Sequence, residues 1–327
     1  NRIHSSRQIY REEIPCQGKC IPKYLLIIKY LIINSILVMV LQSIIYGQWV
    51  SSLGGIGNDV GRSIAVDGSG NVYVTGYFNG TADFDPSSGT TNLIAAGSED
   101  IFIAKYGSDG SLTWAKSRGV SSINGGYMTI DGSGNAYVTG GVSGASFISK
   151  YGSDGSLTWA KSLTGVGDGF SIAVDGNGNV YVTGYFNGTA DFDPGSGTTN
   201  LTTAGENDIY IAKYSSDGSL TWAKNMGGDS DDVGTSIAVD GSGNVYVTGY
   251  FDGTADFDPS SGTTNLTNLI AAGSEDIFIA KYGSDGSLVW AKSMGGSTSS
   301  GATSIAVDES GNVYVTGYFN GTADFDP

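Results

Sequence analysis

The residues able to do chemistry are few and unevenly placed. After residue 47 the 327-residue chain has no His and no Cys. That removes Ser-His-Asp and Cys-His nucleophiles and any His ligand for a transition metal. Cys16, Cys20 and His4 all fall in the first 23 residues. A C-x3-C pair with no second Cys or His pair does not complete a zinc site, and His4 reads as incidental. No glycine-rich loop follows a strand and opens a helix, so no phosphate cradle is expected. What remains is carboxylate. Asp83 and Asp85 recur as Asp191 and Asp193, Asp256 and Asp258, and Asp324 and Asp326. Paired carboxylates can act as acid and base on a glycosidic bond. D-x-D loops can also hold Ca2+ through oxygen donors, with Asp100 or Asn58 and Asp59 beside them. No twelve-residue calcium loop accompanies these pairs, and an active site is normally single, whereas these pairs are copied. A structural role is therefore the reading for carboxylates present in every copy, with Asp83, Asp85, Asp191, Asp193, Asp256 and Asp258 as weak calcium candidates and no other cofactor. The residues that break the copying are Arg62, Arg118, Tyr127, Met128, Asp168, Phe170 and the Asp229, Asp231, Asp232 group. They do not compose an acid–base constellation.

Charge narrows the partners. After residue 47, 30 acidic residues face 10 basic ones. Nucleic acid is disfavoured, because phosphate contacts need Lys or Arg. The acidity fits solubility for an exported protein. Asn79-Gly80-Thr81 and its copies match the N-glycosylation pattern but read as turn residues.

These residues are carried by a repeat. SIAVDGSGNVYVTGYFNGTADFDP, Ser63 to Pro86, returns almost unchanged from Ser171, Ser236 and Ser304, and in shortened form from Met128 to Gly140. One complete period holds four short runs rich in Val, Ile, Tyr, Phe, Trp and Thr: in the first, Ser63–Asp67, Asn71–Phe78, Ile101–Tyr106 and Ser111–Lys116. Runs this short are strands. Asp-Gly and Gly-Asn in the connections supply the positive φ of tight hairpins, which gives Asp67, Asp109 and their copies a turn role. On the second strand Val72, Val74 and Phe78 face one way and Tyr73, Thr75 and Tyr77 the other, as in a sheet covered on both sides. Four antiparallel strands, repeated without helices, make a β-propeller blade, with strand A (the first of each blade) innermost around Ala65 and its copies.

DGSGNVYVTGYFNGT followed by DIFIAKYGSDGSLTWAKS resembles the bacterial β-propeller repeat family known as SBBP, over about residues 49–327. The resemblance implies a propeller, secreted or surface-associated, and no particular reaction.

The chain divides into a polar basic leader (1–23), an apolar segment (24–47) and the repeats (48–327). Tyr24 to Tyr46, followed by Gly47, has the layout of a signal peptide; the rival reading is an uncleaved membrane anchor. Either places the repeats outside the cytoplasm. Gln48 to Gly55 reads as an orphan strand D, the last of a blade, and the chain ends on strands A and B of a further blade. The fold class is thus all-β, a propeller with four full blades plus partial blades at both ends. Together with a start at Asn1 and a first Met at Met39, this reads as a fragment. The second blade has only GVSGAS where the first has residues 77–101. The extra segment is expected to be a hairpin, Thr81–Asp85 with Thr91–Ala95 around Pro86–Gly89, projecting on the surface and dispensable.

Two functions from different classes fit. One is a non-catalytic exported or cell-surface scaffold that binds an extracellular protein or glycan, with binding in the hairpins near Asp83–Gly97 and the strand D tryptophans (Trp49, Trp114, Trp159, Trp222, Trp290) packing between blades. The other is a glycan lyase or hydrolase that uses a non-repeated carboxylate, such as Asp168 or Asp231, or residues outside this sequence.

Overall fold

A computed structural model describes residues 49–120, 123–142, 145–259 and 268–326. The cysteines, His4, the apolar run 24–46, the cleavage position at Gly47 and part of the insertion in the fourth blade lie outside them. The described residues contain strands and turns and no helix.

Four antiparallel four-stranded sheets follow one another along the chain. Blade 1 is Val60–Val66, Val72–Phe78, Glu99–Tyr106 and Leu112–Val120; blade 2 is Ile123–Ile130, Ala136–Val142, Ala145–Tyr151 and Leu157–Thr164. Blade 3 is Gly169–Val174, Val180–Asp191, Asn200–Tyr214 and Leu220–Gly228; blade 4 is Asp232–Val239, Val245–Phe251, Asp276–Tyr282 and Leu288–Gly296. Ser300–Val307 and Val313–Phe319 form a further pair. Strands A to D pair in sequence order within each blade. Strand A of one blade lies against strand A of the next: Ser63 Oγ donates to Met128 O at 3.2 Å, Ile237 N to Ser171 Oγ at 3.2 Å and Ile305 N to Ser236 Oγ at 3.2 Å. Strand A is therefore the inner strand. The orphan strand D is shorter than expected: only Gly54–Gly55 is a strand.

The turns are tight, and their positive φ falls on the glycine of the Gly-Asn and Asp-Gly pairs, Gly70 and Gly110. In Asp67-Gly68-Ser69-Gly70 the Gly70 amide closes on Asp67 O, and the positive φ falls on Gly70, not on Gly68. The C–D turn does the same, with Gly110 closing on Gly107 O at φ +83°. Each is a type I turn ending in a left-handed glycine, which adds a residue to the loop. Asp67 Oδ1 accepts from the Ser69 and Asn71 amides at 2.9 Å, and its Oδ2 accepts from Asn71 Nδ2 at 2.8 Å. Asp131, Asp175, Asp240 and Asp308 repeat the pattern.

Blades are joined by side chains that reach forward onto these turns. Tyr73 OH donates to Gly134 O at 2.8 Å, and Trp114 Nε1 and Lys105 Nζ both donate to Ser153 O, at 3.1 and 3.3 Å. Trp159 reaches Ser216 O, and Trp222 and Lys213 reach Ser284 O. In each blade the lysine also lies over the tyrosine ring, 4.8 to 5.1 Å from its centroid, and in blades 1 to 3 the tryptophan meets that tyrosine edge-on at 6.1 to 6.4 Å. The tryptophans thus pack between blades. The end blades give an internal control. Tyr73, Tyr137, Tyr181 and Tyr246 are fully buried, whereas their copy Tyr314, which no further blade covers among the described residues, is 59% exposed. Ile172, Ile237 and Ile305 are buried, and Ile64, with no preceding blade, is exposed.

The inserted hairpin is present, but it does not project. Thr81–Asp83 pairs with Asn92–Ile94, and the same strand pairs on its other side with Gly54–Gly55, the end of the preceding strand D. Gly227–Gly228 pairs with Ala255–Asp256 and Gly295–Gly296 with Ala323–Asp324 in the same way. The hairpin folds back into the groove between blades. Ala82 and Phe84 are fully buried, Phe84 packs on Phe78 and Phe102 at 5.6 and 4.7 Å, and Tyr106 OH donates to Phe84 O at 3.1 Å. A dispensable surface loop is the wrong description, because the segment carries core. The hairpin buries one face only: its tip, Ser87 to Thr90, and the outward residues Thr81, Asn92 and Ile94 are exposed.

Two substitutions check this arrangement by denaturant unfolding. A Cβ on Gly155 would lie 2.7 Å from the Trp114 ring at φ +79°, whereas Gly132 has open space around it. Gly155→Ala is expected to cost about 2–4 kcal/mol, combining left-handed strain with overpacking, and Gly132→Ala to change little. Phe84→Ala is expected to cost about 3–5 kcal/mol; a near-neutral result would return the hairpin to the surface.

Candidate functional site

The repeated carboxylates are occupied by the backbone. Asp83 Oδ1 accepts from the Asp85 amide at 3.0 Å and the Thr91 amide at 2.8 Å, and Asp191 Oδ1 does the same with Asp193 and Thr199. Asp256 accepts from the Asp258 amide at 2.9 Å. Asp85 and Asp193 accept from the next turn at Ser87 and Gly195. The D-x-D pairs thus shape the hairpin tip. Asp100, Asp208 and Asp276 are buried and receive the returning amides of Ala96, Ala204 and Ala272. In blade 2, which lacks the hairpin, that position on strand C is Ala145. No cluster of three or more His, Cys, Asp or Glu side chains able to hold a metal occurs among the described residues. Asn79 and Asn187 of the glycosylation-like triplets bridge the hairpin base, through their side-chain amides, to Ser98 O and Glu206 O.

The residues that break the repeat divide into two groups. Met128 is core, and Arg118 lies with its guanidinium 4.4 Å from the Phe147 ring, burial holding its pKa below the usual arginine value. These two are structural. Arg62, Tyr127, Asp168, Phe170 and Asp231 lie toward one end of the inner strands, whereas Asp232 is a copy of Asp59, accepting from Gly228 and Asp252 as Asp59 does from Gly55 and Asn79. Arg62 lies over Tyr77 at 5.5 Å. Tyr127 meets Phe170 at 6.1 Å and 79°, Phe170 meets Tyr185 at 5.6 Å, and Tyr185 OH donates to Asp168 Oδ2 at 3.4 Å. Burial raises the Tyr185 pKa, with the negative charges of Asp168 and Asp231 adding to it. Burial also raises that of Tyr250, with Glu275, Tyr318 and Asp231 contributing. Residues from successive blades therefore share one field, in an inner arc of partly exposed rings and carboxylates. Sequence reasoning listed these residues without placing them together. It could have done so by aligning Arg62 with Phe170 on strand A, and Tyr77 with Tyr185 and Tyr250 on strand B, of successive blades.

Asp232 belongs elsewhere. It is fully buried at the junction of blades 3 and 4, accepting from the Gly228 and Asp252 amides at 2.7 and 3.2 Å. Burial, offset by those two amides and reinforced by the charges of Asp208 and Asp252, lifts its pKa to about 7. Asp208, beside it across Gly227, is also raised by burial, and its Oδ1 has no hydrogen-bond partner.

With the geometry established, comparison with known proteins is direct. Residues 48–85, 159–193, 221–257 and 290–326 each match the SBBP beta-propeller repeat. The chain is an SBBP repeat protein. Each match runs from a strand D tryptophan of one blade into the hairpin of the next, so the SBBP unit straddles the blade boundary. The SBBP chain is also 30% identical over 299 residues, 84% of its length, to the uncharacterized WD repeat-containing protein L264 of Acanthamoeba polyphaga mimivirus. It is 29% identical over 113 residues, 35% of its length, to the regulatory protein FlaEY of Caulobacter vibrioides. It spans 20% and 12% of the lengths of these two relatives.

The two kinds of aspartate make opposite pH signatures. For Asp67 burial alone would raise the pKa, but the Asn71 and Ser69 hydrogen bonds outweigh it and lower the value. Groups of this kind stabilise the fold above about pH 4 and lose that contribution as pH falls. Asp232, raised to about 7, favours the fold in its protonated form, and that contribution disappears as pH rises from about 4 to about 7. Stability measured by urea unfolding is expected to fall by a few kcal/mol between about pH 5 and 7, and Asp232→Asn to flatten that decline. An unchanged slope in the variant would assign it to another group.

Proposed function

We propose that this SBBP propeller is a non-catalytic, exported or cell-surface scaffold that binds an extracellular protein or glycan, and that the partner engages the inner arc. One observation carries the reading. Most side chains that repeat join blades or shape turns, whereas three that break the repeat, Tyr127, Asp168 and Phe170, gather beside the copied Tyr185, with the charge of Asp231 acting on the same ring. A residue found in one blade is not needed to build the repeat and is free to serve a ligand. The arc has rings and carboxylates but no nucleophile held by a base, which favours binding over turnover. Export is supported by the apolar run at 24–46 preceding the repeats and by the acidity of the chain. This moves the expected binding surface from the hairpins, whose inner strands are packed, to the arc.

The test is a screen of the purified protein against glycans and envelope proteins, with product analysis in parallel. Saturable binding that Tyr185→Ala abolishes and Asp85→Asn preserves is expected, without product. Turnover of a glycan that is lost on Asp168→Asn or Asp231→Asn would overturn the proposal in favour of an enzyme.

A further inference from the structure

The chemistry of the arc points to a narrower class of ligand; this step rests on the binding reading above. Its rings are not coplanar. Tyr127 and Phe170 stand at 79° to each other, and Phe170 and Tyr185 at 42°. A sugar stacks on one flat face, with its ring parallel to the aromatic plane. A cation has no such requirement, because the attraction is between a compact charge and the negative face of each ring, and walls at steep angles surround it better than a platform does. The Tyr185 hydroxyl donates to Asp168, which pushes electron density toward the ring and puts a carboxylate beside it. Asp231 is exposed and takes a 2.6 Å hydrogen bond from Asn207, and Glu275 accepts from Ser299 Oγ at 2.6 Å; both act on Tyr250. Against these three carboxylates stands Arg62, which already covers Tyr77 at the blade 1 end. The arc is therefore anionic and aromatic at blades 3 and 4.

The fold itself uses the same pairing four times. Lys105, Lys150, Lys213 and Lys281 each lie over a tyrosine ring at 4.8 to 5.1 Å. We propose that the inner arc binds a cationic side chain, a lysine or arginine carried on a peptide segment of a partner protein. The ammonium or guanidinium sits among Tyr127, Phe170 and Tyr185, with Asp168 and Asp231 as counter-charges. The excess of 30 acidic over 10 basic residues after residue 47 draws such a segment in from a distance.

The test is calorimetric titration of the full chain with a blocked peptide of alternating glycine and lysine. The same peptide with every lysine acetylated, and a neutral chitin oligosaccharide, are the comparisons. The lysine peptide is expected to bind, more weakly as salt rises, and the acetylated peptide and the oligosaccharide not to bind. Tyr185→Ala and Asp168→Asn are each expected to weaken binding roughly tenfold, the loss of one partly desolvated cation contact. Tyr185→Phe keeps the ring and is expected to keep most of the affinity. Glu309→Gln, an exposed charge on an A–B turn, is expected to change nothing. Thermal melting of each variant separates lost binding from lost folding. Equal weakening by Glu309→Gln would reduce the interaction to diffuse charge and overturn the proposal, as would no binding of the lysine peptide. Binding of the oligosaccharide that Tyr185→Ala abolishes would overturn the cationic ligand while leaving the scaffold reading intact. Cleavage of the oligosaccharide would end both.

Discussion

A four-stranded sheet that is apolar on both faces has nowhere to put either face except against another sheet. In this chain the joint is directional. Tyr73, Lys105 and Trp114 of blade 1 bond Gly134 O and Ser153 O of blade 2, so strands B, C and D of one blade are completed by the turns of the next. The glycine that closes each C–D turn serves two needs at once: it takes the left-handed conformation, and it leaves the space that the incoming indole fills. The turn glycine and the tryptophan are thus one feature divided between two blades. The exposure of Tyr314, against complete burial of its four copies, shows how much each blade owes to its successor.

A second joint works at the other end of the blades. The hairpin inserted between strands B and C gives its outgoing strand to the preceding strand D and its Phe84-type aromatic to the groove between sheets. Blade 2 lacks it, and there the capping aspartate of strand C is replaced by Ala145. The hairpin and its aspartate are present or absent together, as expected of a carboxylate whose role is to hold the returning amides. Where blades 3 and 4 meet, the same packing brings Asp208 and Asp232 together without a basic partner, and the low local dielectric settles the conflict by raising both pKa values.

Much of this was legible in the sequence. The four strands, the Asx role of Asp67, the hairpin and the inter-blade role of Trp114 follow from alternation, turn composition and copy number, because those signals act over a few residues. The direction of the hairpin was not legible. Ala82 and Phe84 look the same whether the segment stands out or folds back, and only pairing with Gly54–Gly55, some thirty residues earlier in sequence, decides it. The D-x-D carboxylates suggested a cation, but the amides they accept lie within the same turn, a use that spacing alone does not distinguish. The arc was illegible for a related reason. Arg62, Tyr127, Phe170 and Asp231 come from four blades, and their proximity exists only once strand A is known to be innermost and adjacent strands are aligned.

The division of labour between copied and uncopied residues depends on the forward direction of the joint. The most direct measurement is native-state hydrogen exchange on Trp222→Phe, which keeps a ring but removes the indole donor to Ser284 O. If the turn of each blade is held by the side chains of the blade before it, the amides of Gly283 and Gly286 in the blade 4 turn lose protection while the strands of blade 3 keep theirs. Loss of protection confined to blade 3, with the blade 4 turn unchanged, would contradict the account.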